Sequence, residues 1–451
     1  MTLTDPASPD AAAANSAEAP LTLDTAPPQP LGWVDQAVLW GSLGVSLLLP
    51  VAAVFVLRPF GLPELAPIAA LTAIVVGALV GSALLGLAAV PGARTGAPAM
   101  VLLRGLLGRR GSYLPTGLNL VQCLGWAALE VFVIAEVAAR LTTPSLRPLF
   151  VVLAGVLATL MALRPLSVVR VLRRYAGWLV ALATAYLFYA VLRQGLPPLT
   201  RGSWAGFWLA MDVVVALPAS WAPLAADYAR HSKSGGAAFA GAFVGYSIAA
   251  IAYFSLGVLA LLTVVGNPTD PVGVVGALLA LPVGALALVI LAVDEVDEAF
   301  ANVYSTAMSV HNIAPRMDRR VLAVVVGALA TTLGLLVDVI AYESFLLLIG
   351  SVFVPLFAVV AVDYFLLRRG AWDLSATSRG RLVLTIPWAL GFVAYQLINP
   401  GTVSWWVALW TAVREALGFT PAPWMSASLL SFAVAALATG VIGWRGRRLA
   451  A

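Results

Sequence analysis

From about residue 35 to residue 444 the chain alternates between long apolar runs and short polar connections. The runs approach or exceed the ~20 residues that an α-helix needs to cross a hydrocarbon core of roughly 30 Å. Lipid offers no partner to backbone N–H and C=O groups, so each run must be helical. The pattern predicts twelve spans, at 35 to 57, 66 to 90, 113 to 139, 147 to 163, 167 to 192, 204 to 225, 237 to 263, 277 to 304, 321 to 340, 343 to 367, 382 to 399 and 426 to 444. The fold class is therefore an all-α integral membrane protein.

Polar groups interrupt this pattern in three places. An ionisable group at the bilayer centre costs at least ~2.5 kcal/mol, which makes those that remain candidates for a substrate or ion path. In the third span, offsets of 3, 4 and 4 set Asn119, Gln122, Trp126 and Glu130 along one helix face, with Trp126 near the midpoint. An indole followed one turn later by a carboxylate suits a flat, nitrogen-rich ring. The alternative is a packed Trp126 and a Glu130 paired with a base on another helix, although no Lys or Arg lies clearly within a span. In the eighth span, "ILAVDEVDEAF" holds Asp294, Glu295, Asp297 and Glu298. Helical spacing puts Asp294, Asp297 and Glu298 on one face, continues it from Glu298 to Asn302, and turns Glu295 partly away. Four clustered acids cannot all stay ionised in a low dielectric; they share protons, hold a cation, or both. Third, Gly41, Gly44, Ser46 and Pro50 break the first span, and Pro218 and Pro223 break the sixth near Asp212, Ser220 and Trp221. Breaks five helices apart are the mark of an inverted five-plus-five repeat with a midplane site.

Composition agrees: 61% of the 451 residues are hydrophobic, 10% are charged, and the mean hydropathy is +0.96. Of the 26 Lys and Arg, 20 fall in one set of alternate connections, which puts both termini in the cytoplasm. Spread over loops, these bases account for the net charge of +5 without a nucleic-acid partner. Residues 1 to 32, rich in Ala, Pro and Asp, are expected to form a disordered cytoplasmic tail. The single Cys123 excludes an intrachain disulfide. Asp227, Asp363, His231 and His311 are expected at loops or helix ends, the histidines as surface residues, and Trp405, Trp406, Trp410 and Arg414 suggest an interfacial helix. There is no phosphate-cradling glycine loop, metal-spaced His/Cys set or nucleophile triad, so no cofactor is expected.

The stretch "GARTGAPAMVLLRGLLGRRGSYLPTGLNLVQCLGW" (92 to 126) resembles the nucleobase:cation symporter-1 family, the purine, cytosine, thiamine and allantoin permeases, as do "SWAPLAADYAR", "ANVYSTAMSV" and "VDYFLLRR". "SLLLPVA", "GWAALE" and "ALPASWAPLAADY" are most similar to the branch assigned to cytosine and hydroxymethylpyrimidine. The resemblance implies a LeuT-type core of two inverted repeats, here 33–192 and 203–369, followed by two helices within 380–446. It also implies base stacking on Trp126, hydrogen bonding from the next turn, where the family often has Gln and this chain has Glu130, and contributions from Trp221 or Ser220 and from Asn302. Gln122 and Glu298 complete the expected substrate set. Sodium-coupled members bind the ion between the helix-one break and helix-eight hydroxyls; this chain has Val296 and Asp297 there.

The expected function is symport of an aminopyrimidine across the cytoplasmic membrane by a monomer, with the lipid bilayer and a small-molecule substrate as partners. Coupling falls to Asp297, Asp294 and Ser46, with Asp297 carrying a proton or holding Na⁺, the proton being favoured. Other ring substrates (purine, uracil, allantoin, thiamine), a cation channel and an intramembrane enzyme are the alternatives.

Overall fold

The computed structural model describes residues 19–23, 25–59, 62–171, 177–265, 273–336 and 342–450. Every expected span contains helix. Within the described residues, seven helices are long and apolar enough to cross a membrane, and the remaining spans are shorter or interrupted. The first span is two helices, α1 (Trp33–Ser42) and α2 (Leu48–Leu57), and the rest of its repeat is α3 (Pro67–Thr95), α4 (Ala99–Gly111), α5 (Tyr113–Leu141), α6 (Arg147–Leu163), α7 (Pro165–Val171) and α8 (Gly177–Leu192). The second repeat opens with α9 (Phe207–Trp221) and α10 (Ala225–Ala229), separated by one tight turn. It continues through α11 (Gly235–Thr263), α12 (Gly273–Ala280), α13 (Gly284–Asp294), α14 (Val296–Ile313), α15 (Arg319–Gly334) and α16 (Tyr342–Ala361). Two helices follow the second repeat, α17 (Thr385–Ile398) and α19 (Ala427–Ala450), joined through α18 (Ser404–Leu417). The short helices α4 and α12 occupy corresponding places in the two halves, each between its second and third long helices.

The helices form two packed groups. In one, α1, α2, α3, α9 and α11 lie against one another; in the other, α5, α6, α14 and α15 do. Small residues set the close approach in the first group, because van der Waals contact, not water exclusion, drives packing in lipid. A Cβ on Gly257 would lie 2.6 Å from Pro50 Cα and 2.7 Å from Pro50 O, backbone atoms that cannot swing aside. Gly257→Ala is therefore expected to cost about 1–3 kcal/mol, measured as a lower melting temperature in detergent; an unchanged melting temperature would contradict this packing.

The amino-terminal segment departs from expectation. Residues 1 to 18 and 24 lie outside the described residues, but 19–23 and 25–32 are not a free tail. Arg319 N–H donates to Leu21 O (3.0 Å), Leu23 N–H to Pro315 O (3.4 Å), Leu31 N–H to His231 O (3.0 Å) and Lys233 N–H to Leu31 O (2.8 Å). Gln29 Nε2 donates to Ala93 O (2.9 Å) and Arg230 O (3.1 Å). The connections it joins were read as solvated, and this corrects the two histidines as well: His231 is 2% exposed and His311 is fully buried. His231 Nδ1–H donates to Pro28 O (2.8 Å), which leaves Nε2 as the unprotonated nitrogen. That Nε2 is buried without a partner. Burial, then the charges of Arg230 and Arg319, push the imidazole down to about 3 from its ordinary 6.5. Because the folded value lies below the unfolded one, the stability is fully present above pH 6.5 and drains away as pH falls toward 3. At pH 5 the cost reaches about 2 kcal/mol. His231→Gln is expected to lose this part of the acid sensitivity, read from melting temperatures of both proteins at pH 7 and pH 5.

Candidate functional site

The two helix groups face each other across a small cavity. The first group contributes Ser46 from the α1–α2 break and Ser220 and Trp221 from the end of α9; the second contributes Trp126 and Glu130 from α5 and Glu298 from α14. Tyr246 of α11 and the apolar Leu48, Leu49 and Leu217 complete the wall. The cavity measures about 10 Å³, room for one water molecule. A ring can enter only after the groups separate.

The α5 stripe folds as its spacing predicts. Asn119, Gln122, Trp126 and Glu130 are all buried, at 0, 2, 6 and 1% exposure. Trp126 packs edge-on against Phe345, with centroids 5.4 Å apart. Gln122, expected to touch substrate, does not line the cavity; its Nε2 donates to Ser220 O (2.8 Å) and Asn119 Oδ1 (3.1 Å), joining α5 to α9. Asn302 is also turned elsewhere, donating back to Glu298 O (3.1 Å) on its own helix. Ser220 is on the wall, though its hydroxyl donates to Leu217 O (2.6 Å).

The acid block divides by helical spacing, though not as the sequence reading grouped it. The eighth span is interrupted at residues 281–283; from Gly284 the backbone stays helical through Glu295, whose N–H donates to Leu291 O (2.9 Å) and whose carbonyl accepts from Glu298 N–H (3.2 Å) and Ala299 N–H (3.4 Å). Offsets of three divide the four acids into two sets. Asp294 accepts from Ser42 Oγ (3.3 Å), and Asp297 lies beside it with both carboxyl oxygens unpartnered and 1% of the residue exposed. Neither lines the cavity. Glu295, expected to point partly away, instead reaches the α1–α2 break. It accepts from Ser46 Oγ (2.7 Å) and from Leu47 N–H (2.8 Å), a backbone donor freed because the helix is interrupted there. Carboxyl oxygens of Glu130, Glu295 and Glu298 all lie within 4.8 Å of one another. These three acids and Ser46 therefore meet at one point beside the cavity, and such a cluster can hold a shared proton or a small cation. The structure places Ser46 at this cluster, and the sequence reading passed over Glu295, because spacing along one helix does not say which neighbouring element a face meets.

The other acids belong elsewhere. Asp212 accepts from Ser426 Oγ (2.6 Å), Ala427 N–H (2.7 Å) and Ser428 N–H (3.1 Å), capping the first turn of α19. Asp227 accepts from Ala99 N–H (2.8 Å) and so caps α4. Asp363 pairs with Arg381 (2.6 Å), not with Arg368 or Arg369.

From the cavity wall an aromatic column runs toward the face that carries the amino terminus. Ring centroids step from Tyr246 to Trp221 (6.4 Å), Trp40 (6.1 Å), Tyr228 (5.8 Å) and Tyr304 (5.6 Å). Sequence reasoning missed this column because its members come from five helices.

A family model described as "Permease for cytosine/purines, uracil, thiamine, allantoin" matches residues 32–381. No curated protein matches the chain. Among solved structures, similarity extends to Mhp1, a nucleobase-cation-symport-1 family transporter, in a closed conformation with bromovinylhydantoin bound: 18% identity, TM-score 0.67, covering 96% of this chain and 95% of that one. The inward-facing conformation of Mhp1 gives 18% identity and a TM-score of 0.66, covering 96% and 93%. A Na⁺-coupled sialic acid symporter in a substrate-bound outward-open state gives 10% identity and a TM-score of 0.61, covering 92% and 90%. At these identities the likeness is one of fold.

Proposed function

Because this chain belongs to the permease family for cytosine/purines, uracil, thiamine and allantoin, and is thus a membrane transporter and not an enzyme, we propose that it imports an aminopyrimidine, cytosine or hydroxymethylpyrimidine, together with a proton. The observation that carries this reading is Glu130, one helical turn beyond Trp126 on the cavity wall and opposite Trp221. The indoles offer a flat ring its stacking faces. The carboxylate accepts from an exocyclic amine and a protonated ring nitrogen together, a charge-assisted pair. The basic loops support import, with both termini in the cytoplasm.

Binding tests the substrate. Cytosine, hydroxymethylpyrimidine, uracil, adenine and allantoin are titrated against purified protein by tryptophan fluorescence, with Trp126→Ala as control. Quenching by the aminopyrimidines alone, lost in the variant, is the expected result. Quenching by uracil, adenine or allantoin instead would transfer the substrate to that class, and quenching that survives the variant would remove Trp126 from the site.

For the coupling ion, the buried carboxyls of Glu130, Glu295 and Glu298 crowd together beside the α1–α2 break, where sharing a proton relieves their mutual repulsion, and this supports H⁺ over Na⁺. Uptake into proteoliposomes is expected to collapse by about tenfold or more when the pH gradient is dissipated and to persist without Na⁺. Loss only on Na⁺ removal would assign the cluster to Na⁺.

A further inference from the structure

We propose that residues 20–23 and 25–31 form a latch that restrains separation of the two helix groups on the face they cover. The two ends of this segment are held by different groups. At one end, the segment accepts from Arg319 through Leu21 O (3.0 Å) and Pro20 O (3.3 Å), and Leu23 N–H donates to Pro315 O (3.4 Å). Pro315 lies in the turn between α14 and α15 and Arg319 is the first residue of α15, in the second group. At the other end, Gln29 holds the last turn of α3 through Ala93 O (2.9 Å) and the end of α10 through Arg230 O (3.1 Å). Pro28 accepts from His231 (2.8 Å), and Leu31 exchanges backbone bonds with His231 and Lys233. These contacts belong to the first group. Only four residues separate Leu23 from Pro28, so even a fully extended connection spans at most ~18 Å.

The anchor in the second group is itself built in. Arg319 is fully buried, donates to Ala162 O (2.6 Å) and Leu163 O (3.2 Å) at the end of α6, and lies 5.4 Å over the Tyr304 ring. Tyr304 is the end of the aromatic column that leads to the cavity. The groups cannot part along that column without releasing Arg319 from Pro20 and Leu21, or Gln29 and Pro28 from α3 and α10. Each of these bonds favours the closed arrangement by a modest amount, and together they bias the population against opening on this face.

Cys123, the chain's one cysteine, reports such opening. It is fully buried on α5 in the second group, beside Asp227 of α10 in the first and Thr306 of α14. Two variants of the full chain test the latch without substrate: a Gly/Ser linker of about a dozen residues inserted between the exposed Thr25 and Ala26, and deletion of residues 20–23. The linker keeps every contact but slackens the tie; the deletion removes the second-group contacts. In both, alkylation of Cys123 by N-ethylmaleimide in proteoliposomes is expected to quicken about tenfold, the scale of two lost net hydrogen bonds. A wild-type rate in either folded variant overturns the latch, and the linker, placed in exposed chain, decides alone if the deletion does not fold. Because the reaction needs no substrate, its outcome is independent of the quenching panel that tests the aminopyrimidine reading.

Discussion

Glu295→Ala is expected to abolish pH-driven accumulation of substrate, lowering it by about a hundredfold or more. The carboxyl is fully buried and takes the Ser46 hydroxyl and the Leu47 N–H, the two donors at the α1–α2 break. Removing it strands both in a dry interior, at a cost of ~1–3 kcal/mol each, and two such losses are worth roughly two or more factors of ten. It also takes away the carboxyl that joins Glu130 and Glu298 to the break. Glu295→Gln separates structure from coupling, since its amide oxygen still accepts from Leu47 N–H and its N–H₂ can donate to the Ser46 hydroxyl, but it cannot carry a proton at neutral pH. The glutamine variant is expected to keep substrate counterflow in proteoliposomes while losing accumulation against a gradient. If accumulation survives in both variants, Glu295 has no part in coupling.

The second large effect falls on Glu130→Gln. The carboxylate can accept two hydrogen bonds from an aminopyrimidine edge, whereas the carboxamide offers one acceptor and opposes the second ring donor with its own N–H₂. Losing a charge-assisted bond is worth about 1.5–3 kcal/mol, so affinity for cytosine and hydroxymethylpyrimidine should fall roughly ten- to hundredfold in the quenching assay. Uracil presents a carbonyl where cytosine presents the amine, and its affinity should hold or rise. Full retention of cytosine affinity would remove the aminopyrimidine reading while leaving the transporter intact.

The legible parts of this chain share one cause. Lipid forbids unpaired backbone polar groups, so a long apolar run has a single solution, and each expected span contains helix. The Asn119–Gln122–Trp126–Glu130 stripe was readable for the same reason, because α5 is unbroken from Tyr113 to Leu141 and its period holds throughout. The acid block obeys the same period, since Asp294 with Asp297 and Glu295 with Glu298 are each three residues apart on a backbone that stays helical through Glu295. What the period could not show is that the Glu295 face meets the α1–α2 break. Gln122 and Asn302 show a second limit: both lie on the expected faces, but their amides are taken by nearby carbonyls.

By itself, then, the sequence determined the membrane class, the helical spans and the paired breaks in the first and sixth spans, all through the local rule that lipid satisfies no backbone group. Tertiary structure alone decided that Glu295 closes onto Ser46 and Leu47, and that residues 19–23 and 25–32 pack against distant turns. The first depends on which helix face meets the α1–α2 break in space. The second rests largely on backbone N–H and C=O groups, which nearly every residue carries and no sequence pattern reveals.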